Sequence, residues 1–470
     1  MKKIPFFSQN PVSPAAWREN VILLFFILAI GCVLTIPFLQ QPSLWPDEAL
    51  YLHIAEKLSV NPLDLTDIHG HFFYKNPPVL MYALSGILTV RRILGAAGDP
   101  IVWCRLFIIT ANLLAACLAF LTGRRLYSEK TGLLAALLWI SFPLSNWISL
   151  RILNDIPMTF LAGAAILSAM CRSSIRFGLF ALAAFLTKFS ALPLFLLPLI
   201  ARIEKEKLIA LLYGVLFLSL LLTAVYHPSL PPGARGLSYF IRFIQVPDLY
   251  EMMREFAYFP GAVLCVLVVA GMVLSPKQGP LSALFHWICL FGVIRFFLPW
   301  ITFRVSRYGL PLYLAGMVIA AFGLVRSWEL LVARYPVKRI FLTTLCALIA
   351  IGIIVPNLWK SHQLINRTAR TFSGYDEVGR ILEKLKPPRT ILTASPRQIK
   401  FFAPSFSVVD FQQDMKREDL KAIVQENGIR YIAIDRWSPH QPEWCAELSY
   451  FETEYIPLFH NNHVFLYQVK

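Results

Sequence analysis

The chain has 470 residues, of which 57% are hydrophobic, 14% aromatic and only 15% charged, and its formal net charge is +16. A soluble domain of ordinary make-up carries about 25% charged residues, so a soluble globule of this size would lack the polar surface to cover itself and a polytopic membrane protein is indicated. Much of the positive excess lies in short segments between apolar runs, where Lys and Arg set membrane orientation, so the charge does not argue for nucleic acid as a partner.

The first apolar run, Val21–Leu39, is long enough to span a bilayer and follows Lys2, Lys3 and Arg18. No small-residue cleavage site comes after it, so it reads as a retained helix leading out of the cytoplasm. A mixed-polarity segment, Gln40–Trp103, then opens on Ser43-Leu-Trp-Pro-Asp-Glu-Ala-Leu-Tyr51, where Asp47 and Glu48 precede a helical pattern through Leu50, Ile54 and Leu58. Capping of that helix is the ordinary duty of Asp47. The segment continues through Tyr74-Lys75-Asn76-Pro77-Pro78, and the short apolar run Val79–Val90 ends at Arg91-Arg92, which suits a helix in the interface plane.

Further spans are expected at Arg105–Thr122, Thr131–Leu150, Ile156–Cys171, Phe177–Thr187, Ala191–Ala201, Leu208–Val225, Pro260–Leu274, Leu281–Ile301, Gly309–Val325 and Ile340–Leu358. A second long exterior segment covers His227–Tyr258. The total is about eleven, and the odd number puts the tail outside. From about Ser361 the composition becomes that of a soluble domain. Helical patterns at Tyr375–Leu385 and Arg417–Gln425 alternate with β-rich runs at Thr390–Thr393, Ser407–Phe411, Tyr431–Asp435 and His463–Val469. The expected architecture is therefore an α-helical polytopic membrane domain, 1–360, followed by a small α/β domain, 361–470, facing the exterior.

Seven of the eight cysteines lie in or beside apolar runs, Cys445 stands alone in the tail, and no spacing suggests a metal knuckle or a disulfide framework. Four polar features fall on the exterior side of this layout. They are Asp47-Glu48; Tyr74-Lys75-Asn76-Pro77-Pro78; Arg151-Ile-Leu-Asn154-Asp155; and Phe303-Arg304-Val-Ser306-Arg307-Tyr308. Each alone has an ordinary reading: Lys75 can snorkel, Asp155 can cap the next helix, and Arg304 and Arg307 can sit among lipid headgroups. Together they offer carboxylates to take a proton from an attacking acceptor and cations to hold a departing phosphate. Phosphate is a good leaving group, so such a transfer needs no nucleotide.

At these residues the chain resembles the GT-C superfamily of membrane glycosyltransferases, notably the lipid A aminoarabinose transferases and the protein O-mannosyltransferases. The resemblance rests on Pro46-Asp47-Glu48-Ala49-Leu50-Tyr51, Lys75-Asn76-Pro77-Pro78, Arg105 opening the second span and Asp155 after the third. Ala184-Phe-Leu-Thr-Lys188 and Ser306-Arg307-Tyr308-Gly-Leu-Pro311 extend it.

It implies that Asp47 is the catalytic base and that Asp155 is a second acid lining the acceptor cavity. Glu48, Lys75, Arg105, Lys188, Arg304, Arg307 and Tyr308 would form the substrate-binding set. The implied donor is a polyprenyl-phosphate-linked sugar and the reaction inverting, with a lipid, glycan or protein as acceptor; the short N-terminus and compact loops favour a bacterial inner membrane, among membrane lipids. Tyr74 stands where some relatives carry a metal-binding acid, with only His69 and His71 near enough to substitute, so a divalent metal is left open. The competing class is a flippase or transporter of a lipid-linked sugar. Transporters gather ionisable groups near the midplane, and here only His286 and Arg295 lie in or near a span.

Overall fold

A computed structural model of the chain describes residues 14–73, 76–171, 173–188, 190–191, 194, 262–274, 306–385, 387, 389–438 and 441–470. Two bodies are built from these, a helical bundle and an α/β domain that follows it.

The bundle begins with α1, Pro14–Thr35, whose apolar side chains are largely exposed, as suits a helix facing lipid. The chain then turns into α2, Pro46–Leu58, and α3, Val79–Ile93. Pro46 opens α2 because a first-turn residue has no intrahelical N–H to lose. Glu48 folds back to accept the Trp45 backbone N–H at 2.9 Å, one half of a capping box.

The bundle continues through α4, Pro100–Leu126; α5, Glu129–Ser141; α6, Pro143–Ser149; α7, Asp155–Met170; and α8, Ser174–Thr187. It closes with α9, Ala262–Leu274, α10, Leu310–Arg334, and α11, Arg339–Thr368. Small residues let these helices approach: a Cβ on Gly132 would stand 2.4 Å from the Phe120 carbonyl of the neighbouring helix.

Among the described residues four helices are long and apolar enough to cross a membrane, or five if the bent pair α5–α6 is one span. That pair corrects the expectation of a single helix over Thr131–Leu150. The axis bends by 61° at Phe142, because Pro143 cannot donate to the preceding turn and starts a new helix instead. The expected spans Leu208–Val225 and Leu281–Ile301, most of Ala191–Ala201 and the segment His227–Tyr258 lie outside the described residues.

The last long helix runs on to Thr368 through the change in composition near Ser361, whose hydroxyl is buried and donates to the Ser141 carbonyl at 3.3 Å. After it, β1 to β5 (Thr390–Thr393, Ser407–Asp410, Tyr431–Asp435, Ile456–His460, Val464–Gln468) form one sheet in the order β2-β1-β3-β5-β4. The first three strands in that order run parallel and the last two pairings are antiparallel. Strand β3 is buried along its whole length, as a central strand covered on both faces must be. Helices α12, Tyr375–Leu382, α13, Pro396–Phe402, α14, Leu420–Glu426, and α15, Leu448–Glu454, flank the sheet.

Candidate active site

The site is built on the chain between α1 and α2. Arg105, on α4, is 1% exposed and donates to the carbonyls of Leu39 at 2.9 Å and Gln41 at 2.8 Å, and also to that of Ser43. Those bonds stop the loop from extending and deliver it to the start of α2. Arg151, fully buried after α6, donates to Ser43 Oγ at 2.6 Å and to the Thr368 carbonyl at 2.8 Å, and lies over the Trp45 ring. Between the two guanidiniums sits Glu48, with no exposed surface, 3.6 Å from Arg151 and 4.0 Å from Arg105. Its Oε1 accepts the Ile152 N–H at 2.9 Å. Glu48 and Arg105, expected among the substrate groups, thus have a supporting place: they tie together α2, α4 and the turn that leads to Asp155.

Asp47 is different. Its side chain is 40% exposed, and its two oxygens are held from two directions. Arg307 Nη2, from the turn before α10, stands 3.4 Å from Oδ2, and Arg397 Nη1, from the C-terminal domain, stands 2.9 Å from Oδ1. Asp155 lies deeper, 1% exposed, at the first turn of α7. Lys188 Nζ meets its Oδ1 at 2.5 Å, and Arg307 Nε reaches its Oδ2 at 3.8 Å.

Among the described residues charges therefore alternate through five side chains, Lys188, Asp155, Arg307, Asp47 and Arg397. Asn76, from the Lys75-Asn76-Pro77-Pro78 peptide, is fixed beside them. It donates to Tyr51 Oη at 2.8 Å and accepts from Asn154 Nδ2 at 3.1 Å.

Lys75 and Arg304 lie outside the described residues, as does the Tyr308 side chain, whose backbone belongs to the turn Ser306–Gly309. His69 faces Asp410 of the C-terminal domain at 3.8 Å, with the His71 ring 6.2 Å away. Burial pushes the Asp410 carboxyl up, and His69 and Arg397 oppose that shift. Among the described residues no three His, Cys, Asp or Glu side chains gather closely enough to hold a metal ion. An apolar cavity of about 260 Å³ opens between α3, α4 and α7. Leu80, Phe107, Leu114 and Phe160 line it, and it reaches Pro157, two residues after Asp155, and Thr187, which precedes Lys188.

Sequence reasoning missed Arg397. Pro396-Arg-Gln-Ile-Lys-Phe-Phe402 is too short to show helical periodicity, and the tail offered nothing to tie it to a loop some 350 residues earlier. The only available signal was a Pro one residue after a Ser at the end of a β-rich run, which marks a strand-to-helix turn.

Solved structures share this architecture. The chain superimposes on the ArnT of Cupriavidus metallidurans bound to undecaprenyl phosphate with a TM-score of 0.63 at 13% identity, covering 96% of this chain and 98% of that one. The chain has the fold of the GT-C membrane glycosyltransferases. The archaeal oligosaccharyltransferase AglB from Archaeoglobus fulgidus, in complex with an inhibitory peptide and a dolichol-phosphate, gives a TM-score of 0.64 at 12% identity over 95% of this chain and 73% of that one. The mycobacterial arabinofuranosyltransferase AftD gives 0.54 at 13% identity, over 96% of this chain and 40% of AftD. No protein-family model and no curated protein sequence matches the chain. The GT-C fold agrees with the expectation from the motifs, and at this identity the likeness is one of fold.

Proposed function

We propose that the protein is an inverting glycosyltransferase of the extracytoplasmic face of the inner membrane. It moves a sugar from a polyprenyl-phosphate carrier to a lipid, glycan or protein acceptor, with Asp47 as general base. The observation that carries this reading is the alternating chain of charges that includes a half-exposed carboxylate, Asp47. A base must be reachable by the acceptor, and Asp47 is the accessible acid of the three.

In the reaction an acceptor hydroxyl or amine attacks the anomeric carbon from the side opposite the phosphate. Asp47 takes the acceptor's proton as the new bond forms, and the bond between that carbon and the phosphate oxygen breaks with its electron pair leaving on the phosphate. Lys188 and Arg307 have the chemistry to hold the phosphate as negative charge gathers on it. Asp155, paired with Lys188 and Arg307, holds those cations in place and borders the acceptor side. Lys75 and Arg304 are proposed as further phosphate ligands. The apolar cavity between α3, α4 and α7 has the chemistry to take an isoprenoid chain. The C-terminal domain faces the same compartment as Asp47, since the two are in contact.

The test is turnover by purified protein in lipid nanodiscs, using a panel of radiolabelled undecaprenyl-phosphate monosaccharides and following release of undecaprenyl phosphate. Release by wild type that is lost in Asp47→Asn supports the assignment. Passage of intact labelled carrier across a vesicle bilayer, with no release, would overturn it in favour of a flippase.

A further inference from the structure

We infer that Arg397 is a positioning residue for the Asp47 carboxylate, so that the C-terminal domain completes the catalytic site. The inference rests on the reading of Asp47 as the general base. A half-exposed aspartate turns freely about its last torsion, whereas proton transfer needs one oxygen aimed at the acceptor. Arg397 supplies the shorter of the two guanidinium contacts, 2.9 Å to Oδ1 against 3.4 Å from Arg307 to Oδ2. With Oδ1 fixed from above, Oδ2 is turned toward Arg307 and Asp155, where the phosphate and the acceptor would meet.

The C-terminal domain is shaped to hold Arg397 there. Strand β1 ends at Thr393, and the turn to α13 is fastened by Ser395 Oγ, which donates to Asp435 Oδ2 at 2.7 Å at the end of the adjacent parallel strand. The same carboxylate accepts from the Tyr375 hydroxyl, and its Oδ1 takes the N–H groups of Trp437 and Ser438, both at 2.6 Å. Asp435 is thus held by the chain that follows it and by Tyr375, and through Ser395 it fixes the turn that leads to Arg397. The ends of parallel strands are where open α/β sheets present functional groups.

Docking is equally specific around Asp47 itself. The Gln398 side chain is buried and donates to the Leu44 carbonyl at 3.5 Å, and Ser43 Oγ donates to the Thr371 carbonyl. Phe372, with φ of 60°, is held in the left-handed region by ring contacts to Trp45 on one side and Trp437 on the other. A non-glycine residue is strained there, and the strain persists because this joint is fixed from both bodies.

A plain docking role would give a different result. An ion pair this exposed adds little to stability, so its loss should leave folding intact while catalysis falls. In full-length protein in nanodiscs, with the donor that wild type turns over, Arg397→Ala should lower kcat about 10- to 100-fold. The donor KM should stay within about threefold, Arg397→Lys should restore part of the loss, and adding Arg397→Ala to Asp47→Asn should cost nothing more. If Arg397→Ala keeps wild-type kcat while Asp47→Asn is dead, the positioning role is wrong and the base assignment stands. If Asp47→Asn is itself active, the base assignment falls first.

A second measurement needs no donor. With Asp47→Cys, the rates of modification by an anionic and a cationic methanethiosulfonate report the charge at that point. Adding Arg397→Ala should lower the anionic-to-cationic ratio about fivefold or more, and adding Arg397→Lys should not. An unchanged ratio would mean that the guanidinium does not stand over Asp47, and would overturn the inference.

Discussion

Asp47 and Glu48 are neighbours in one helical turn, yet their side chains do opposite work. Glu48 is sealed between Arg105 and Arg151, and its removal would leave two buried guanidiniums facing each other without an anion. Breaking a buried pair costs about 3–5 kcal/mol, so Glu48→Gln should lower the unfolding midpoint in detergent by several degrees and depress expression. Asp47→Asn keeps the shape of a half-exposed side chain, so its midpoint should stay at the wild-type value while transfer drops at least about 100-fold. Thermal unfolding and turnover measured on the two variants side by side would separate these duties, and a collapse of both quantities in Asp47→Asn would count against the base. The sequence showed the pair but not the division of labour. Which acid is buried depends on cations from other helices, and no local pattern around residue 47 contains that information.

At the scale of elements, the contact between α2 and α13 joins the two bodies, and a buried titratable group, His53, lies close to it. His53 is buried on the inner face of α2, and its imidazole is pushed down to about 4 by burial first, then by Lys57 and by Lys400 of α13; Asp64 and Asp67 pull the other way. The sign follows from proton uptake. Below about pH 6.5 an unfolded chain protonates this histidine and the folded one does not, so stability declines as pH falls. The decline has a limiting slope of about 1.4 kcal/mol per pH unit and ends near pH 4, where both forms carry the proton. The unfolding midpoint of wild type should therefore fall more steeply between pH 6.5 and 4 than that of His53→Gln. Parallel curves would show that His53 is not held neutral in the fold.

Long apolar helices such as α4 and α10 were readable because an apolar run of about span length is a strong signal. Strand β4 was not, because Pro457 interrupts its β-pattern; the strand survives at the edge of the sheet, where a missing N–H is tolerated.

For the whole molecule, the bundle places its chemistry at one end. Helix α7 starts at Asp155 and ends beside Cys171, and α10 starts next to Arg307 and ends at Arg334 before Val337. At 1.5 Å per residue, the 25 residues of α10 cover about 37 Å, enough to cross the hydrocarbon core of a bilayer. Cys171 and Val337 are then expected on the side opposite Asp47, Leu63 and the C-terminal domain. The fold gives this polarity as a relation between two ends, and the assignment of compartments comes from charge. Arg124, Arg125 and Lys130 fall at the Cys171 end together with Arg326 and Arg334, as the positive-inside rule requires of a cytoplasmic face.

The exposed side chains Leu63 and Val337 test it directly. In a Cys171→Ser background, Leu63→Cys should react with a membrane-impermeant maleimide on intact spheroplasts. Val337→Cys should react only after the membrane is opened. The reverse pattern would put Asp47 in the cytoplasm, where nucleotide-sugar donors are at hand, and a carrier-linked donor would lose its rationale. Labelling of both sites from one side would mean that α10 does not cross the membrane at all.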